Sequence, residues 1–548
     1  MKPGTSTPLR AGPLTLELDG EGSLRFIRLG DREVLRRVYV AVRDRNWATV
    51  PVAISDLSLE QWDDAFAVDL VADHVQGSIH FRWKGTLRGE PDGTIRFQMD
   101  GEAISAFKRN RIGICVLHPI DECAGQPCRV ERADGSFVDG AFPRLISPHQ
   151  PFFDIRAFFH EVAPGVRAEV RYEGDVFEME DHRNWSDANF KTYSTPLALS
   201  RPVELAAGTS VRQSVTLRLL PGVPARPVVP AASAEVAFEI DRSRAFTLPK
   251  LGVALIGGRE PLTDRDRARL RGLGLAHLRA DLYPSRDGFA AAFERAALES
   301  QKLELPLELA LVVRAEATNE LRRTAEAIRK ASVRVASCLL LPLEGDVTPP
   351  EAIGIARALL PGLSIGAGSH QHFTELNRTR AALDGVDFLA FPNSPHIHME
   401  DETTTIENLA ALPWLAETAR SFAGGRPLAL TPVTLKRLVP GLTTCWAACH
   451  LGWAARSGFD RVTYAGIEAF CDALAAVTGS AGSGWSGAEV LATRSTRPLV
   501  VDGLALRRDR TLRVVVANLT RQPQSVGLPE GRRTLAAHEL AVIDSDVK

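Results

Sequence analysis

A chain of 548 residues is too long for one ordinary core, and 65 basic against 67 acidic side chains leave a net charge of −2, which offers no basic footprint for nucleic acid or an anionic membrane. Hydrophobic residues at 45% and charged residues at 24% are the balance of a soluble globular protein, and no apolar run reaches the roughly 18 residues of a spanning helix. Seven scattered cysteines without paired zinc spacing, and an N-terminus without an apolar signal core, lead us to expect reduced thiols and a cytoplasmic location.

Residues 1–220 read as all-β. Short alternating runs such as LTLELDG, SIHFRWKGTL and SVRQSVTLRL are separated by Gly, Asp and Pro turns, the pattern of a β-sandwich, expected over 1–233. Within it, FEMEDHRNWSDANFKTY (177–193) packs four acids, three basic or titratable side chains, two asparagines and four aromatics into one loop-like stretch. That density suits either a polar network that anchors the sandwich, with Trp185 and Phe190 as anchors, or a loop whose Arg183 and Lys191 contact a polyol ligand. Four prolines within PGVPARPVVP then mark a stiff connector.

From about residue 246 short apolar strands alternate with helical patterns. The strands are LGVALIG (251–257), AHLRADL (276–282), LELALVV (307–313), VASCLLLPL (335–343), LSIGAG (363–368), VDFLAF (386–391), PLALTP (427–432) and RVTYAG (461–466). Eight of them predict a (β/α)8 TIM barrel over 246–482. An open doubly wound sheet is the rival, but no G-x-G-x-x-G follows a strand. The tail returns to strands, so residues 483–548, joined by 234–245, are expected to form a small C-terminal β domain.

In such a barrel, chemistry gathers at the carboxyl ends of the strands. Strand two ends in Arg279 and Asp281, and strand four in Glu344. Strand five runs into His370, His372, Glu375 and Asn377; strand six into Asn393, His396 and His398; strand eight toward Glu468. Each has a bland alternative. Arg279 and Asp281 can be an internal ion pair, Glu344 a solvated loop residue, and Glu375 part of a helix start capped by Thr374 or Asn377. The H-x-H at 396–398 has a metal-ligand spacing, but such pairs in hydrolytic metal barrels usually sit after the first strand, so no metal or other cofactor is expected. Strand seven ends in TPVTLKRL without a carboxylate, which disfavours a retaining glycosidase, and no G-x-S-x-G is present. General acid–base chemistry by Glu and His remains, with Arg or Lys against an oxyanion.

Several segments resemble one known family. GDVFEMEDHRNWSDANFKTYSTPLAL, FPRLISPHQPFFDIRAF, PGLSIGAGSHQHFTELNRTR, FPNSPHIHMEDETTTIENL and VDGLALRR…VVVANLT are similar to the D-apionate lactonase family over nearly the whole chain. The resemblance implies an N-terminal β domain, a TIM barrel and a C-terminal domain, and hydrolysis of D-apionolactone to D-apionate. The chain departs from the family pattern after strand eight, where TYAGIEAFCDAL displaces Glu468 by about two positions, and at GSHQHF after strand five. The expected mechanism has Glu375, or else Glu468, activating water, His396 or His398 protonating the ring oxygen, and Arg279 or Lys191 balancing the oxyanion. Asp281, Glu344, His370, His372, Asn377, Asn393 and Arg183 complete the expected substrate contacts. The expected partner is a small-molecule sugar lactone, with a homo-oligomer possible. A glycoside hydrolase, or a carbohydrate-binding relative without chemistry, are the alternative readings.

Overall fold

The structure is a computed structural model that describes residues 6–220, 235–255, 261–479, 484–485 and 487–546. The side chain of Glu468, a candidate base, and the connector 221–234 lie outside the described residues. The chain divides into two compact units. One runs up to Arg183 and resumes at Ala188; the other takes in Asn184–Asp187 and everything from Glu235 onward. No helix among the described residues is long and apolar enough to cross a membrane.

The first unit is a β domain of 17 strands in one hydrogen-bonded network. Alternating polarity builds it: Leu14–Asp19 buries every second residue, as does the hairpin Phe66–Gln76 with Ile79–Gly89. That hairpin turns through Gly77, whose φ of +59° favours glycine. Phe107–Pro119 pairs on one edge with Arg32–Asp44 and on the other with Asn189–Tyr193 and Val203–Leu205, tying the strands together. The polar stretch 177–193 is itself a hairpin. Phe177–Asp181 pairs antiparallel with Asn189–Tyr193, and a 3-10 turn at His182–Trp185 lies between them.

In the second unit eight parallel strands close into a barrel, here β1 Lys250–Ala254, β2 His277–Leu282, β3 Leu307–Val313, β4 Val335–Pro342, β5 Ser364–Gly368, β6 Phe388–Asn393, β7 Leu428–Val433 and β8 Arg461–Ala465. β8 pairs with β1, which completes the ring and excludes the open sheet. Three helices matter to the site: α1 Phe373–Thr379, α2 Glu402–Glu407 and α3 Leu412–Phe422. The segment TTIENLAALPWLAETARSFA suggests one helix across 404–423. Instead a 3-10 turn at Asn408–Ala411 separates α2 from α3, with Pro413 inside the first turn of α3, where its missing N–H costs nothing.

The helix α4, Leu442–Arg456, is buried on nearly every side because the C-terminal strands pack over it. Trp453 Nε1 donates to Asp502 Oδ2 at 2.7 Å, and Arg456 Nη1 to Thr493 Oγ1 at 2.6 Å. The overlying seven-stranded sheet takes Glu235–Thr247 beside the tail strands, with a core of Val236, Phe238, Leu491, Val514 and Val526.

Candidate active site

The amino-terminal floor of the barrel holds an ionised network. LELALVV carries one carboxylate, Glu308, fully buried in β3. It accepts from Arg461 Nη1 at 2.8 Å, Ser337 Oγ at 3.3 Å and Thr431 Oγ1 at 3.0 Å. Burial pushes its pKa up, but His277, Arg461 and Arg279 outweigh burial and hold it at about 2. His277 Nε2 lies 2.8 Å from Thr463 Oγ1. Gly252 in β1 makes room for that ring: a Cβ there would lie 2.1 Å from His277 Nε2. Thr431 also accepts from Arg279 Nη1 at 2.7 Å, and Arg279 Nη2 reaches Asp281 Oδ1 at 2.6 Å. A chain of polar contacts thus climbs from floor to mouth. Arg279 and Asp281 form the internal ion pair that their spacing allowed, with Arg279 buried and Asp281 exposed.

At the mouth, the exits of β5 and β6 meet Asn184–Asp187. Asp187 Oδ2 lies 2.7 Å from His398 Nδ1. A carboxylate can only accept, so the proton sits on Nδ1 and, in the neutral ring, the lone pair sits on Nε2. Asn408 Nδ2 lies 3.4 Å from Asp187 Oδ1 and donates to the Pro395 carbonyl at 2.9 Å, fixing the acid to the β6 loop. Trp185 makes edge contacts with two imidazoles, 5.2 Å from the His372 ring and 5.9 Å from the His398 ring. Asn377 Nδ2 donates to Asn184 Oδ1 at 2.9 Å. Burial, reinforced by Lys436, holds the His372 pKa below its usual value against the pull of Asp187. Partial burial and Arg279 do the same to His370, against Asp281.

Other expected site residues have different tasks. Glu375 Oε2 accepts the His372 backbone N–H at 2.8 Å at the start of α1, so it works as a helix-capping acid; burial raises its pKa and these backbone bonds lower it. His396 Nδ1 accepts from the Lys436 N–H at 3.0 Å. Its Nε2–H donates to Thr405 Oγ1 at 2.8 Å, because that hydroxyl donates to the Asp401 carbonyl. Both ring nitrogens are therefore engaged in pinning two loops, which leaves no proton to give a leaving group. The two rings of the H-x-H have different partners, Thr405 and the Lys436 N–H for His396 and Asp187 for His398. Asn393 is buried beside His450, with 3.2 Å between Oδ1 and Nε2. Glu344 is exposed.

In the first unit, Arg183 is fully buried. It forks onto Asp181, with Nη2 to Oδ2 at 2.7 Å, and donates to the carbonyls of Pro143 and Arg144. That is an internal structural role rather than a ligand contact. Lys191 is buried in the same unit, its Nζ 3.4 Å from His182 Nε2.

Sequence reasoning did not identify Asp187 as the partner of His398, nor Glu308 and Thr431 as a network. A lone acid in an otherwise apolar strand was the available signal for Glu308. Nothing local pairs Asp187 with His398, which lies 211 residues away.

A family model described as "D-apionate lactonase, N-terminal domain" matches residues 2–221, and one described as "D-apionate lactonase, TIM barrel domain" matches 251–441. A D-apionate lactonase from Brucella anthropi is 32% identical over 454 residues, covering 78% of this chain and 73% of that protein. Among solved structures, a family 30 endoxylanase from Clostridium papyrosolvens C71 is similar at a TM-score of 0.40 and 12% identity, over 57% of this chain and 100% of its own. A bifunctional glucanase-xylanase from a metagenome library has a TM-score of 0.44 and 9% identity, over 57% and 99%. The two domain matches and the Brucella relative together show that the chain belongs to the D-apionate lactonase family.

Proposed function

We propose that the protein hydrolyses a sugar lactone at the barrel mouth, opening D-apionolactone to D-apionate or acting on a closely related aldonolactone. The Asp187–His398 pair is the observation that carries this reading. Asp187 orients the imidazole, which takes a proton from water as the oxygen attacks the lactone carbonyl. The carbonyl becomes a tetrahedral oxyanion, collapse breaks the bond to the ring oxygen, and that oxygen leaves as a hydroxyl after receiving a proton. The imidazolium formed at His398 returns that proton to the ring oxygen. Trp185 offers a flat apolar face to the sugar carbons. Arg279, held by Thr431 and Asp281, supplies fixed positive charge at the rim.

Acid release from D-apionolactone, followed in a pH-stat with D-ribono-1,4-lactone and aryl glycosides as comparisons, tests the reading. Lactone turnover without glycoside turnover is expected. Glycoside cleavage without lactone turnover would overturn it.

A further inference from the structure

The barrel mouth holds a phenol to which the chemistry above gives no task. His277, Arg279 and Asp281 alternate along β2, and the first two point into the barrel, reaching Thr463 of β8 and Thr431 of β7. Tyr283 continues that alternation one residue past the strand. Its ring packs against the apolar cluster that β3, β4, β6 and β7 turn inward, with Val312, Leu341, Ala390 and Ala429 among its members. Tyr283 is therefore an inward residue at the carboxyl rim, the same rim from which β6 runs on to His398.

Two features set it apart from a plug of the barrel. The ring is held from outside as well: the Arg286 guanidinium carbon lies 3.8 Å from its centroid, and the Arg286 N–H donates to the Tyr283 carbonyl at 2.9 Å, closing the turn that carries both. Arg286 is exposed and makes no ion pair among the described residues. The hydroxyl, in turn, is uncommitted. Tyr283 Oη bonds to no described residue, and it is not among the buried polar atoms that lack a partner, so it opens to solvent at the mouth. The hydroxyls of Tyr193 and Tyr464 are the contrast: both side chains are buried, and their Oη atoms are bonded to Glu178 and His450. Arg279 is also committed. Its Nη1 donates to Thr431 Oγ1, and its Nη2 and Nε reach Asp281 Oδ1 at 2.6 and 3.2 Å, so that carboxylate balances much of its charge. An oxyanion forming at this rim needs a donor that is not already in use.

We propose that Tyr283 is a catalytic residue of the lactone hydrolysis, the hydrogen-bond donor to the carbonyl oxygen as it becomes the tetrahedral oxyanion, and that Arg286 positions its ring. The inference rests on the lactonase reading and adds a donor within it. The phenol O–H donates to the oxygen and keeps its proton, so no atom is transferred at this residue. Arg286, stacked on the ring face, restrains the ring and places positive charge behind the phenol. A donor preset where charge develops acts mainly in the transition state, so its loss should fall on kcat rather than KM.

Steady-state hydrolysis of D-apionolactone by the full chain tests it, wild type against Tyr283→Phe, with Tm read on the same preparations. Phenylalanine keeps the ring and its packing and removes only the hydroxyl. A fall in kcat of about 10²–10³-fold is expected, with KM and Tm nearly unchanged. Arg286→Gln should lower kcat several-fold in the wild type and have no further effect in the Tyr283→Phe background, because it acts through the phenol. A Tyr283→Phe rate within about twofold of wild type, or a raised KM at unchanged kcat, would overturn the oxyanion role. An Arg286→Gln loss of equal size in both backgrounds would overturn the positioning role. If the wild type opens no lactone, the lactonase reading fails and this inference with it, whereas turnover that survives in Tyr283→Phe sinks the inference alone.

Discussion

At the floor of the barrel Glu308 lies among Arg461, Ser337 and Thr431; at its mouth Asp187 lies against His398. Both acids are buried and both pair with a nitrogen base. The floor acid is surrounded by cations that keep it ionised to a pKa of about 2, so near neutral pH it exchanges no proton and serves to hold strands in place. The mouth acid lies against the imidazole of His398 and so directs where that ring keeps its proton. Burial of charge therefore does not by itself mark a site; the chemistry of the partner decides.

The comparison can be broken first at the floor. Glu308→Ala leaves Arg461 buried without its acid, and removal of one partner of a buried pair costs about 3–5 kcal/mol. Urea unfolding should show that loss, and a change below about 1 kcal/mol would mean that water replaces the carboxylate. At the mouth, Asp187→Asn should lower kcat on the lactone by about 10²-fold, as expected for mis-set general-base chemistry, with a much smaller change in Tm. If Tm collapses while the residual folded fraction keeps its kcat, Asp187 belongs with the floor as a structural acid.

Acid pH sharpens the contrast between units. Burial holds His74 and His160 of the β domain at about 4. Burial, and then the neighbouring His160, depress His118 further. Their native pKa values lie below the unfolded value of about 6.5, so the unfolded state binds more protons in this window. Stability is full above pH 6.5 and is lost as pH falls toward 4, on the order of 2–3 kcal/mol for each of His74 and His160. Unfolding followed at Trp83, whose Nε1 donates to His74 Nε2 at 3.2 Å, reads this directly; a flat profile from pH 7 to 4 would contradict it. The smallest expected effect is at the loop pin. His396→Gln gives up ring hydrogen bonds worth about 1 kcal/mol each and should leave kcat within a few-fold of wild type. A loss as large as that of Asp187→Asn would return His396 to the chemistry.

The ring of strands was largely legible because apolar runs of strand length alternate with helical spacing. LELALVV begins and ends where β3 does, and RVTYAG differs from β8 by its final glycine. Helix ends were less so: α1 begins at Phe373 with His372 as its cap and Glu375 accepting the His372 N–H, where the sequence suggested a start capped by Thr374 or Asn377. The stretch 177–193 looked like a loop because its polarity hid a hairpin whose charges satisfy each other, Arg183 with Asp181 and Tyr193 with Glu178. Strand exits pointed to His372 and His398. The acid that orients His398 comes from 211 residues away, and no local spacing encodes a partner brought in by tertiary folding.

The most direct test of the central claim is the steady-state rate of His398→Gln on D-apionolactone, with Tm measured on the same preparation. A fall in kcat of about 10²–10⁴-fold at nearly unchanged Tm is expected for loss of the general base. A rate within twofold of wild type would contradict the assignment of the chemistry to the Asp187–His398 pair.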